Sequence, residues 1–173
     1  RPSDSEVLCD HSNQQEGEGS ALHFSPCGKF LIDGSWAGEI YVREALRPNV
    51  VDMFQFAGEM ITGVSPSGDS QLWLVTHQPR TPPGANNHDP AYLTIWQWPL
   101  TKPKKTIKPL LANIESCVLS PDGKRIALVG FDESLSRRML QVLSISGDSL
   151  FHSPIELGGT GSVVRWSPDG DLI

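Results

Sequence analysis

The side chains with the most chemistry in reach of one another are His77, His88 and Asp89, which flank one proline-rich stretch. Two imidazoles and a carboxylate are donors that zinc accepts. Such a site would need the stretch to fold back on itself, and the spacing matches no zinc-ligand motif. Cys9 and His11 would share one face of a strand by alternation, but nothing completes their set. A nucleophile is no better supplied. No Gly-x-Ser-x-Gly elbow occurs; Gly63-Val64-Ser65-Pro66 comes nearest, and Ser65 is already explained as a turn residue. Gly158-Gly159-Thr160-Gly161 has neither the Lys-Ser/Thr nor the helix that a phosphate loop requires, and reads as a loop entering a strand at Ser162. The adjacent acids Asp132 and Glu133 read as solvated loop residues, with nothing to mark them for acid–base work. The sequence therefore predicts no catalytic residue, no cofactor and no metal.

Residues suited to contact are easier to find. The stretch from His77 to Pro90 reads as an inserted loop whose prolines limit the entropy lost when it orders on a partner. Its polar contact candidates are Arg80, His88 and Asp89. Trp36 stands in a second candidate, the hairpin tip Ser35-Trp36-Ala37-Gly38, where an exposed ring would anchor an interface. Packing of Trp36 on a neighbouring element is the competing expectation.

Both candidates hang on a repeat. One turn recurs four times: Ser25-Pro26-Cys27-Gly28, Ser65-Pro66-Ser67-Gly68, Ser120-Pro121-Asp122-Gly123 and Ser167-Pro168-Asp169-Gly170. Proline presets the second turn position, and glycine accepts the left-handed conformation at the fourth. An interval of roughly 40–55 residues marks an array of supersecondary units. Each turn lies between apolar runs, such as Ala21-Leu22-His23-Phe24 before the first and Lys29-Phe30-Leu31-Ile32 after it. These predict the first two strands of each unit.

Third strands are predicted at 39–42, 92–96 and 140–145, and weaker fourth strands at 51–56, 106–111 and 149–151. Pro109 suits an exposed edge. No window carries an apolar stripe at helical spacing, and Gly 16 with Pro 14 leaves few uninterrupted stretches. Asp132 to Met139 reads as a long charged hairpin loop. The fold class expected is all-β: a β-propeller of four-stranded antiparallel blades, as an incomplete array of about three full blades plus partial terminal ones.

Phe24 to Val42, with its Phe-Ser-Pro-x-Gly turn and following Gly-Ser strand end, resembles the WD40 family of β-propellers. Val7-Leu8-Cys9-Asp10-His11 resembles that family's outer strand ending in Gly-His. The match is divergent. The family's turn aspartate falls at Ala37, its closing Trp-Asp at Arg43-Glu44, and Gln97 follows the matching Trp96. Of the hydrogen-bonded network the family uses, His11 and Ser35 are present and the carboxylate is missing. Trp166 to Gly170 and Arg125-Ile126-Ala127-Leu128 also resemble TolB-like and prolyl-oligopeptidase-type propellers.

One propeller segment, 1–173, is expected. It divides into an outer strand and entry (1–24), blades at 20–57, 58–112 (with the inserted loop 77–90) and 113–157, and the start of a further blade at 158–173. Propellers close with roughly four to eight blades, so the sequence reads as part of a longer protein or of a complex. A formal net charge of −6 argues against nucleic acid as the main partner. The lysines 102, 104, 105 and 108 read as a solvated loop. No apolar stretch reaches the roughly 20 residues of a membrane span. Three cysteines without close spacing favour a reducing, cytoplasmic setting. The resemblance implies a non-catalytic protein–protein interaction scaffold whose partners are other proteins or the rest of its own chain. The alternatives are the gating propeller of a prolyl-oligopeptidase-like hydrolase, or a TolB-like periplasmic module.

Overall fold

The computed structural model describes residues 19–47, 49–80, 90–98, 103–132, 134, 136–159 and 163–173. Among the described residues, twelve strands form three antiparallel sheets of four, each in simple chain order. The first sheet holds β1 (Gly19–Phe24), β2 (Phe30–Ser35), β3 (Glu39–Glu44) and β4 (Val50–Gln55). The second holds β5 (Glu59–Pro66), β6 (Leu72–Pro79), β7 (Tyr92–Gln97) and β8 (Pro103–Ile107). The third holds β9 (Ala112–Leu119), β10 (Arg125–Asp132), β11 (Arg137–Ser144) and the two-residue β12 (Ile155–Glu156). Inner strands β1, β5 and β9 lie side by side in that order, while β4, β8 and β12 are outer edges. These are the blades of an incomplete propeller.

Alternation along the strands decides which sheet each residue meets. In β6, Trp73 and Val75 face the first sheet, packing with Ile32, Ile40, Val42, Ile61 and Trp96. Leu74, between them, faces the third sheet, where it joins Leu93, Ile95, Ile126, Leu128 and Leu143. The middle blade is thus buried on both faces, which is why its central strands read as nearly continuous apolar runs. Ala127 and Val129 point the other way from β10 and meet Val164 of the following segment.

The turn between the first two strands of each blade is built by one serine. Its hydroxyl accepts the backbone N–H five residues on: Phe30 to Ser25 (3.0 Å), Leu72 to Ser67 (3.0 Å), Arg125 to Ser120 (2.9 Å) and Leu172 to Ser167 (2.9 Å). In the last three copies the same hydroxyl donates to an aspartate two residues on, Asp69, Asp122 or Asp169, at 2.6, 2.6 and 2.5 Å. In the first copy Cys27 holds that place, 3.3 Å from the Ser25 hydroxyl.

This corrects the second copy of the repeat. Ser65 and Pro66 belong to β5, and the turn is Ser67-Gly68-Asp69-Ser70. Ser70, at φ 60°, takes the left-handed place that Gly28, Gly123 and Gly170 take at φ 70°, 70° and 79°. Gly68 stands where the other turns have proline, and the physical reason is its N–H, which donates to the Pro121 carbonyl of the next turn at 2.8 Å. Proline has no such donor.

Three strand expectations also change. The second blade's outer strand ends at Ile107, so Pro109 follows it. In the third blade Ser149 makes only an isolated bridge to Leu143, and the edge strand is Ile155–Glu156. The charged hairpin is shorter than expected, because Asp132 pairs with Arg137 and the ladder runs on from there.

Candidate functional site

His77 belongs to β6 and is buried, not part of a loop. Its ring stands 4.4 Å from that of Phe56 and stacks on that of Tyr92 at 5.9 Å. Nδ1 bonds the Glu59 carboxylate, and Nε2 lies 2.7 Å from the Thr94 hydroxyl. Thr94 in turn lies 2.9 Å from the Thr106 hydroxyl. Glu59, His77, Thr94 and Thr106 come from β5, β6, β7 and β8, one from each strand of the middle blade. Carboxylate, imidazole and hydroxyl in that order are the parts of a nucleophilic triad. Here the hydroxyl is 1% exposed and already bonded to Thr106, so no substrate carbonyl reaches it. The arrangement is a clasp across the blade.

With both ring nitrogens engaged, His77 is not available to the metal set that His88 and Asp89 would complete. His88 and Asp89 themselves lie outside the described residues, as do Cys9, Asp10, His11, Thr160, Gly161 and Ser162. Among the described residues no group of three or more His, Cys, Asp or Glu is placed to hold a metal ion. No helix among them is long and apolar enough to cross a membrane.

The two partner-contact candidates that can be placed are exposed. Trp36 is 47% exposed at the β2–β3 turn, where Gly38 N–H closes on the Ser35 carbonyl at 3.1 Å. Gly38 has φ 85°, and a Cβ there would lie 2.4 Å from the Phe56 carbonyl, so the tip is held close to the blade's last strand. Ser35 Oγ accepts from the Ala37 and Glu39 amides, both at 3.2 Å. Arg80 is also exposed, directly after β6, with its N–H bonded to the Gly58 carbonyl at 2.9 Å. Lys104, Lys105 and Lys108 are exposed as well, and Lys105 Nζ donates to the Ser146 carbonyl of the third blade.

A cleft of about 370 Å3 opens along the inner strands, lined in part by Leu22, His23, Val64, Cys117, Arg165 and Trp166. Among the described residues no carboxylate lines it, and none of them stands beside His23 to orient it as a base. Burial pushes the Cys117 thiol up to about 12, which disfavours the thiolate. Cys27 is the opposite case. It is exposed, and the Ser25 hydroxyl followed by the Lys29 amide holds its thiol below the ordinary value. The Ser67, Ser120 and Ser167 hydroxyls do the same for Asp69, Asp122 and Asp169, each helped by a backbone N–H.

Two polar centres escaped the sequence reading. One is the His77 chain, whose signal was polar residues breaking apolar strands at matched positions, as Thr94 does between Leu93 and Ile95. The other is Arg43, 0% exposed, whose Nε donates to Asp33 at 2.8 Å and whose guanidinium sits 4.6 Å over the Tyr41 ring. Asp33 and Arg43 both interrupt apolar strands, a pattern that marks a buried pair.

No family model matches the chain, and no curated protein matches it. Solved structures do resemble it. A crystal structure of a eukaryotic initiation factor is similar with a TM-score of 0.62 at 17% identity, over 85% of this chain and 34% of that one. Hydrazine synthase of Kuenenia stuttgartiensis is similar with a TM-score of 0.69 at 17% identity, over 88% of this chain and 42% of that one. The chain thus spans about a third of one neighbour's length and about two fifths of the other's. At this identity the likeness shows the propeller-like fold alone.

Proposed function

We propose that the chain is a divergent WD40-like propeller segment acting as a non-catalytic protein–protein interaction scaffold within a larger protein or complex. The observation that carries the reading is that the triad-like constellation among the described residues is buried and closed by Thr106, while Trp36 and Arg80 stand exposed beside strand ends. Trp36 supplies an apolar anchor and Arg80 a charged rim to the same partner class, other proteins. Arg43 fits the WD40-like reading as a substitute. It stands at the position of the family's closing tryptophan, and its ion pair with Asp33 pins β3 to β2 in place of the family's hydrogen-bonded network. The exposed free thiol of Cys27 supports a reducing, cytoplasmic location.

The test is affinity capture with the full-length protein, comparing wild type with Trp36→Ala, Arg80→Ala and a short glycine replacement of residues 81–89. The reading expects one set of proteins to be lost by about tenfold in at least one folded variant, the size of an interface anchor. Equal capture by all three would remove these residues from the interface. Labelling of a serine in the full-length protein by a fluorophosphonate would overturn the non-catalytic reading in favour of the hydrolase alternative.

A further inference from the structure

The hydrogen-bond chain through the middle blade has a direction, and that direction depends on one proton. With neutral His77, Nδ1–H donates to Glu59, so Nε2 must accept from the Thr94 hydroxyl. The Thr94 oxygen then receives the Thr106 hydroxyl. Every group in the chain is satisfied, and Thr106, an exposed residue of the outer strand, keeps its oxygen as an acceptor. A second proton on the ring, at Nε2, turns that nitrogen into a donor. The Thr94 oxygen accepts it, the Thr94 hydroxyl swings to donate to Thr106, and the Thr106 hydroxyl turns outward as a donor. No hydrogen bond is lost in either state.

We propose that His77 is a reversible proton site whose charge state is carried to the outer edge of the middle blade by reversal of the Thr94 and Thr106 hydroxyls. A buried imidazole without such a relay would strand a donor on protonation, at the cost of an unsatisfied buried group. Imidazole is the side chain suited to the task, because it carries one ring N–H when neutral and donates from both nitrogens when charged. Among the described residues, the titratable side chains that face the ring are Glu59 from β5 and Tyr92 from β7; Phe56, after β4, and the Thr94 hydroxyl are its neutral neighbours. Half-buried Glu59 and exposed Thr106 place the two ends of the chain within reach of solvent. The readout is local: the outer strand β8 changes from offering an acceptor to offering a donor, beside Lys104 and Lys105.

Nitrogen-15 NMR of the histidine rings, in the full chain between about pH 7.5 and pH 5, tests this. Wild type is expected to show His77 as the Nδ1–H tautomer at the upper pH. At the lower pH both nitrogens are protonated and β7 keeps its amide dispersion. Thr94→Ser keeps the hydroxyl and behaves as wild type. Thr94→Val leaves Nε2–H with no acceptor, so acidification increases opening of the β6 and β7 amides, read by hydrogen exchange, about tenfold more than in wild type. A neutral Nε2–H tautomer, or a Thr94→Val protein that tracks wild type through the acid range, overturns the proposal. Should Thr94→Val fail to fold, Thr106→Val decides instead. It removes only the exposed last hop, and equal acid response of its β7 amides and those of wild type would end the claim that the signal reaches the edge.

Discussion

Where the first and second blades meet, rings meet. Trp96 lies 5.0 Å from Phe54 and 5.9 Å from Phe56, Trp98 lies 4.9 Å from Phe30, and Trp73 closes the row against Trp98 at 6.4 Å. Where the second and third blades meet, the filling is leucine and isoleucine, and the backbones are tied as well. Ser65 Oγ accepts the Leu119 N–H at 3.1 Å, and Gly68 N–H reaches the Pro121 carbonyl. The first junction depends on the shape of a few large groups, with Gly34 flush against Ile61. The second depends on many small aliphatic contacts and a serine. Two identical sheet shapes are thus joined by different means, and the means predict different responses to substitution.

Trp73→Ala is expected to have the largest effect, about 3–5 kcal/mol, because a side chain 1% exposed leaves a void that rigid rings cannot fill. Leu128→Ala, at 0% exposure in the second junction, costs about 2–4 kcal/mol, where flexible leucines relax into part of the space. Urea midpoints of the two variants check the order, and a larger loss for Leu128→Ala would break the contrast. Gly34→Ala sharpens it from the other side. The new Cβ would lie 2.4 Å from Ile61 Cγ2, so overpacking costs about 1–3 kcal/mol, and pairing it with Ile61→Ala recovers part of that loss. Independent, additive losses would mean the two residues do not oppose each other.

Smaller effects are expected in the turns. Ser120→Ala removes the acceptor of the Arg125 N–H and costs about 1 kcal/mol, and Gly68→Pro removes the bond to Pro121 at similar cost. Thermal unfolding of each variant checks both, and a Gly68→Pro protein that melts with wild type would show that the tie between turns is idle. The smallest effect concerns pH. The carboxyls of Asp69, Asp122 and Asp169 are held below the ordinary range, so the folded state favours their charged forms. That stability is complete above the carboxylate pKa of the unfolded chain and is lost as pH falls through the lowered values. Asp122→Asn flattens the acid limb of stability, whereas Cys27→Asp, which completes the first turn on the plan of the others, steepens it.

Much of this was legible in local residue chemistry. Turn residues and apolar runs named the inner strands and three of the four turns, because those signals act over a few residues. The second turn was misplaced by two positions because Ser65-Pro66-Ser67-Gly68 and Ser67-Gly68-Asp69-Ser70 both satisfy turn chemistry. A hydrogen bond to Pro121, more than fifty residues away, decides between them, and no local rule contains it. His77 was placed in the loop because prolines follow it closely, yet β6 runs on to Pro79 to bring the imidazole opposite Thr94. For Trp36 the sequence left exposure at a hairpin tip and packing on a neighbouring element both open, and the ring is 47% exposed. Arg43 was missed because burial of a charge depends on Asp33 across the sheet.

The alternation along β6 also acts as a label of sequence position. Trp73 and Val75 meet a neighbour that mixes rings with β-branched chains, and Leu74 one built of leucine and isoleucine. A copy of this blade inserted beside itself would set its tryptophans against its own leucine face, and a shift of one residue in β6 would exchange the two faces. The order of the blades is therefore recorded twice, once in the connectivity of the chain and once in the mating faces. Recombination that shuffles whole repeats would conserve the turns yet misfile this one.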